Sequence, residues 1–176
     1  LLTGCGRPGT AAMIDGERLT DAELATTLEQ YLQLTYDPSS QAPATTPAQM
    51  IDLLASFDAY ESAAAEAGVG ASEQEAEAML DTVFESKGLT DVEYTDGLIL
   101  IAQMSSAING LRETDPETAV EILEAAQVRL SEMDVTVNPR FGTWEPDGFA
   151  SETSPLERVL PPSNPFVLTP GTGLTE

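Results

Sequence analysis

Leu98-Ile99-Leu100-Ile101-Ala102-Gln103-Met104-Ser105-Ser106-Ala107-Ile108-Asn109-Gly110-Leu111 is the stretch around which the rest of the chain must be arranged. Its apolar residues fall on nearly every side of a helical wheel. A helix that is apolar all round must be covered all round. The stretch is shorter than the roughly 20 apolar residues needed to cross a bilayer, and no other internal run is longer. It therefore predicts the central helix of a helical domain.

Four amphipathic runs are available to cover it. Leu24, Leu28, Tyr31 and Leu32 form one stripe at helical spacing, and Met50, Leu54, Phe57, Tyr60 and Ala64 a second. Ala76, Met79, Leu80, Val83 and Phe84 form a third, and Ala119, Ile122, Leu123, Ala126 and Leu130 the last. Each helix has a start signal. Thr20-Asp21-Ala22-Glu23, Thr46-Pro47-Ala48-Gln49, Ser72-Glu73-Gln74-Glu75 and Thr90-Asp91-Val92-Glu93 read as capping boxes, in which a hydroxyl and a carboxylate or amide satisfy free backbone N–H groups. Asp115-Pro116 opens the fifth helix, with Pro where its missing N–H costs nothing. Gly68, Gly88 and Gly110 read as residues that follow helix ends.

Two segments break the helical period. Ala11-Ala12-Met13-Ile14-Asp15-Gly16 precedes the first helix, and Asp134-Val135-Thr136-Val137-Asn138-Pro139 follows the last. Both suit strands. Each alone leaves its backbone groups unmatched, so the two are expected to pair and join the ends of the domain. The fold class is thus mainly α: five helices closed by a short two-stranded pairing. Residues 37–45 read as a Ser/Pro/Ala linker. From 149 to 176 the chain is Ser, Pro, Thr and Gly-rich, with Pro161-Pro162 and Pro165, and reads as an extended or disordered tail. The organisation expected is 1–10 a leader remnant and tether, 11–148 the helical domain, and 149–176 the tail.

Charge excludes several functions. The chain has 30 acidic and 7 basic residues, a net charge of −23. No Lys or Arg occurs between residues 19 and 86. Nucleic acid is not an expected partner, because phosphate binding needs clustered cations. Histidine is absent, which removes the commonest general base and metal ligand. No Ser stands three residues before Lys87, the only lysine; that position is Phe84. No EF-hand loop, P-loop or dinucleotide fingerprint is present. The expectation is a protein that is not an enzyme and uses no cofactor and no metal. A carboxylate pair acting on cell-wall sugar is the only chemistry left open.

The single cysteine is Cys5, preceded by Leu2-Thr3-Gly4. A branched apolar residue, a small residue, Gly and Cys is the pattern that bacterial lipoprotein processing reads, with the Cys sulfur diacylated and the chain cut before it. Leu1 to Gly4 then read as the end of a leader, and Cys5 as the lipidation site. The expected location is the outer face of the cell membrane, held by lipid rather than by charge.

Ala12-Met13-Ile14-Asp15-Gly16-Glu17-Arg18-Leu19-Thr20-Asp21-Ala22-Glu23-Leu24 resembles the opening of the SurA-type chaperone N-terminal domain. There a short strand, Asn-Gly, a polar pair and Ile-Thr lead into a helix. Asp15 stands where Asn is usual. Glu66-Ala67-Gly68-Val69-Gly70-Ala71-Ser72 is similar to that family's approach to its next helix. Val135-Thr136-Val137-Asn138-Pro139-Arg140-Phe141-Gly142-Thr143-Trp144 is similar to the closing segment of such domains in actinobacterial lipoproteins and PrsA-type foldases. The resemblance covers 11–146. It implies a five-helix array of the SurA or trigger-factor kind. It does not extend to the parvulin isomerase module, for which no room and no histidine remain.

The resemblance implies a membrane-tethered, chaperone-like lipoprotein. Its partners would be unfolded or partly folded exported polypeptides, bound through apolar surface. Met50, Phe57, Tyr60, Met79 and Met104 are the candidate client-binding residues, since Met and aromatic side chains repack readily; their helical spacing also suits plain core packing. The alternative partner is one specific envelope protein, held by a structural lipoprotein of the same fold.

Overall fold

Asp15 and Gly16 both take positive φ, 47° and 85°, and reverse the chain between two strands. A two-residue turn of this handedness matches the twist of a hairpin. In this computed structural model, which describes residues 8–35, 45–142 and Trp144, the hairpin joins β1 (Thr10–Ile14) to β2 (Glu17–Thr20). Ile14 faces Glu17, Met13 faces Arg18 and Ala12 faces Leu19. The expected partner of β1 is also present. β3 (Val135–Val137) lies antiparallel on its other side, with Val137 opposite Ala12 and Val135 opposite Ile14. The sheet has three strands in the order β2-β1-β3, one more than the two expected. The added strand is Glu17–Thr20, whose polar residues hid it from a search for apolar alternation.

Five helices follow: α1 (Asp21–Thr35), α2 (Pro47–Glu66), α3 (Glu73–Ser86), α4 (Asp96–Glu113) and α5 (Pro116–Glu132). Four begin where expected. Thr20 and Glu23 exchange hydrogen bonds at 2.8 and 3.1 Å, and the Thr46–Gln49 and Ser72–Glu75 pairs do the same. Asp115 caps α5 by accepting from the Thr118 N–H at 3.0 Å.

The fourth start is a correction. Thr90-Asp91-Val92-Glu93 forms no capping box; Asp91 is left-handed, at φ 57°. The N-cap of α4 is Thr95, whose hydroxyl oxygen accepts from Leu98 N–H at 3.3 Å. The intervening segment lies across α1. Gln30 donates from Nε2 to the Glu93 carbonyl at 2.7 Å, and its Oε1 accepts from the Thr95 N–H at 3.3 Å. The Thr27 and Thr95 hydroxyls meet at 2.7 Å. Thr27 and Gln30 are buried, and these bonds satisfy polar groups that burial would otherwise leave unpaired.

α4 packs against α1, α2 and α3, and α2 against α1, α4 and α5, so the centre is shared between two helices. α2 buries Met50, Ile51, Leu54, Phe57 and a run of small residues. Ala, Ser and Asp interrupt its large apolar residues, whereas those of α4 run unbroken from Leu98 to Ile101. Gly68 and Gly88 follow helix ends with φ 71° and 79°, as expected. Gly110 does not: it lies inside α4, beneath Val69.

β1 begins at Thr10, within the stretch expected to be tether, and the Gly9 carbonyl accepts from Asp21 N–H at 3.0 Å. Cys5, residues 37–44 of the linker and the 149–176 tail lie outside the described residues.

Candidate functional site

Four of the five candidate client residues belong to the core. Met50, Phe57, Tyr60 and Met104 are all buried, and Met79 is half-buried against the same cluster. Helical spacing put them on inward faces, and in this conformation no client chain can reach the first four. They are packing residues here.

One concave region is acidic. An open cleft of about 600 Å³ is lined by the β1–β2 hairpin and by residues of α1, α2 and α4. Asp15 and Glu17 at the hairpin turn face Asp58 and Glu61 on α2. Burial raises the Asp58 pKa above the usual carboxylate range, Asp15 and Glu17 raise it further, and Arg129 opposes them. Glu61 is raised by burial and then by Asp58. Arg18 is the cation of the lining, and its guanidinium is tied to the Thr10 hydroxyl at 2.8 Å and the Pro8 carbonyl at 3.2 Å. The hairpin is anchored at its tip, where Asp15 Oδ1 accepts from Asp134 N–H at 2.7 Å. No aromatic ring lines the cleft, so it has no platform for a sugar face. Among the described residues no group of three or more carboxylates, His or Cys could hold a metal ion.

A second concave region is apolar. It runs along the outer edge of α1 and is lined by Ala25, Leu28, Leu32 and Leu89, with Glu29, Gln33 and Lys87 at its edges. Leu89 is exposed, and Leu28 and Leu32 are half-buried. The Lys87 ammonium donates to the carbonyls of Gln33 and Leu34, both at 2.8 Å. It thus neutralises the negative end of α1 and fixes the corner where α3 ends.

The groove exists because the buried face of α1 is rotated from its apolar stripe. Leu24, Thr27, Gln30, Tyr31 and Leu34 point inward. Two of these are polar: Gln30 serves the backbone of Glu93 and Thr95, and Thr27 meets the Thr95 hydroxyl. Leu28 and Leu32, read from the sequence as core, are displaced to the rim. The available signal was the width of the run: Leu24, Leu28, Tyr31, Leu32 and Leu34 cover more of the helix than one buried face needs. Leu89 carried no signal, lying between two helices.

The described helices include none long and apolar enough to cross a membrane. The chain matches no protein-family model, no curated protein and no solved structure.

Proposed function

We propose that this protein is a non-catalytic, membrane-tethered lipoprotein of the outer cell-membrane face. It binds apolar segments of unfolded or partly folded exported polypeptides, as a chaperone does. The observation that carries the proposal is the apolar groove of Leu28, Leu32 and Leu89 on an otherwise acidic frame. Half-buried Leu28 and Leu32 on α1, with the exposed Leu89 beside them, offer a polypeptide several shallow contacts without demanding one sequence. The acidic surround repels acidic segments and attracts basic ones, so the preferred client is an apolar stretch with Lys or Arg beside it. The Leu2-Thr3-Gly4-Cys5 pattern supports a diacyl anchor at Cys5, since two acyl chains give stable retention where one is marginal. The resemblance of the hairpin and α1 to the SurA-type opening supports the same reading.

The test uses three labelled peptides: apolar with flanking Lys, apolar and neutral, and apolar with flanking Glu. Fluorescence anisotropy should rank them in that order. Salt should weaken the first and leave the second unchanged. Leu32→Asp should cost both at least tenfold. If none of the three binds, the chaperone proposal fails; one stoichiometric partner recovered from the envelope instead would favour the single-partner lipoprotein. For the anchor, palmitate-analogue labelling should be lost in Cys5→Ala, and label retained by that variant would contradict it.

A further inference from the structure

Within the chain's own sequence is a segment with the chemistry that the groove selects. No Asp or Glu occurs from residue 158 to 175, the longest acid-free stretch in a chain that carries 30 of them. Arg158 is its single charge. Val159, Leu160, Phe166, Val167 and Leu168 give it apolar side chains, spaced by Pro161, Pro162 and Pro165.

We infer that residues 159–170 occupy the Leu28–Leu32–Leu89 groove as an internal competitor for the client. The inference rests on the groove being the binding surface proposed above, and deepens it into a regulated one. Three physical arguments favour this occupant. The first is charge: the segment is neutral but for Arg158, so it escapes the repulsion that the acidic surface exerts on most of the chain. The second is reach. From Trp144, the last described residue, to Val159 the chain can extend about 50 Å at about 3.3 Å per residue. That exceeds the radius of a domain of this size, about 13 Å for 100 residues, several-fold. The third is entropy. A tethered segment acts at a millimolar effective concentration, and proline reduces the conformational freedom lost on docking. A second copy has none of these advantages. Two chains of −23 repel, and one open groove of a few leucines falls short of the roughly 1,000 Å² that a specific interface buries.

A segment of this kind would lower client affinity without abolishing it. With an effective concentration of about 1 mM and a dissociation constant of about 100 µM, the competitor weakens client binding about tenfold.

Two measurements on the full-length chain test this. A photo-reactive Leu89→p-benzoylphenylalanine variant places the reporter at the groove's exposed edge, where the core is not disturbed. The expected product is an intramolecular cross-link to 159–170, independent of protein concentration. Cross-links to 36–44, to a second copy or to none of the chain overturn the inference. The second measurement compares the full chain with one ending at residue 158. The Lys-flanked peptide should bind the shortened chain about tenfold more tightly, and the gain should vanish in Leu32→Asp. Equal affinity for the two chains, with Leu32→Asp still weakening both, overturns the competitor while the proposed function stands. If the peptide binds neither chain, the proposed function fails, and the cross-link alone then decides where 159–170 docks.

Discussion

Gly110 shows how a single residue was misread for a physical reason. A glycine near the end of an apolar run looks like a helix stop, but α4 continues to Glu113. A methyl at Gly110 would lie 2.7 Å from Val69 Cγ1, so the glycine serves a close approach between α4 and the connection after α2. In an exposed helix, Gly→Ala gains about 1 kcal/mol from propensity alone. Here Gly110→Ala should destabilise instead, by about 1–3 kcal/mol from overpacking, and Val69→Ala should relieve the cost of the clash. Denaturation midpoints of the two singles and the double measure that coupling. Asp58 gives a second residue-scale outcome. Its folded pKa is raised, first by burial, so the folded state holds this proton more tightly than the unfolded chain. The stabilisation is full below the ordinary carboxyl value of about 3.9 and is lost as pH rises through the folded value. Asp58→Asn mimics the protonated form. It should raise the melting temperature at pH 7, with the gain fading as pH falls towards 4. Glu23 runs the other way: hydrogen bonds from Thr20 lower its pKa, so its contribution is present at neutral pH and lost on acidification.

At the scale of elements, caps and apolar period were legible and tertiary uses of polar residues were not. The Thr20, Thr46, Ser72 and Asp115 starts were readable because the cap and its partner lie three residues apart. The α4 start was not, because Thr95 is chosen by contacts with Thr27 and Gln30 more than sixty residues away. The same long-range bonds turned α1 and put Leu28 and Leu32 at its rim, so the candidate groove was invisible to periodicity. The strand pairing was legible from the need to satisfy two otherwise unmatched segments. Val137 meets Ala12, and Asn138 adds bonds to the Ala11 and Thr10 carbonyls at 2.8 and 3.0 Å. Removing the chain from residue 134 onward takes away β3 and these bonds. It should unfold the domain at lower temperature, since the ladder bonds and part of the burial of two half-buried Val side chains are lost, each Val contributing less than the roughly 1.5–3 kcal/mol of full burial, against a total of about 5–15 kcal/mol. Removal after residue 148 takes away no strand and should cost only the stabilisation that the docked 159–170 segment adds, about 1.4 kcal/mol for a tenfold competitor, a far smaller fall in melting temperature. Equal melting of the two truncations would contradict the closing role of the sheet.

At the scale of the whole molecule, the chain carries a net charge of −23, with few ion pairs among the described residues to relieve it. Among the described residues Arg129 meets Glu66 at 2.5 Å and Arg140 pairs with Asp21. Folding concentrates this charge, so screening should favour the folded state. Raising salt from 0.01 to 0.15 M shortens the Debye length from about 30 to about 8 Å, and the melting temperature should rise across that series. A fall would mean that attraction, not repulsion, dominates the surface. The central claim is that polypeptide is captured at the α1 edge, and methyl NMR tests it most directly. The Lys-flanked apolar peptide is titrated into protein labelled at Leu and Val methyls. The account predicts saturable shifts at Leu28, Leu32 and Leu89, with Val120 and Val128, exposed on α5, unmoved. Shifts centred on α5, or none at any peptide concentration, would contradict it.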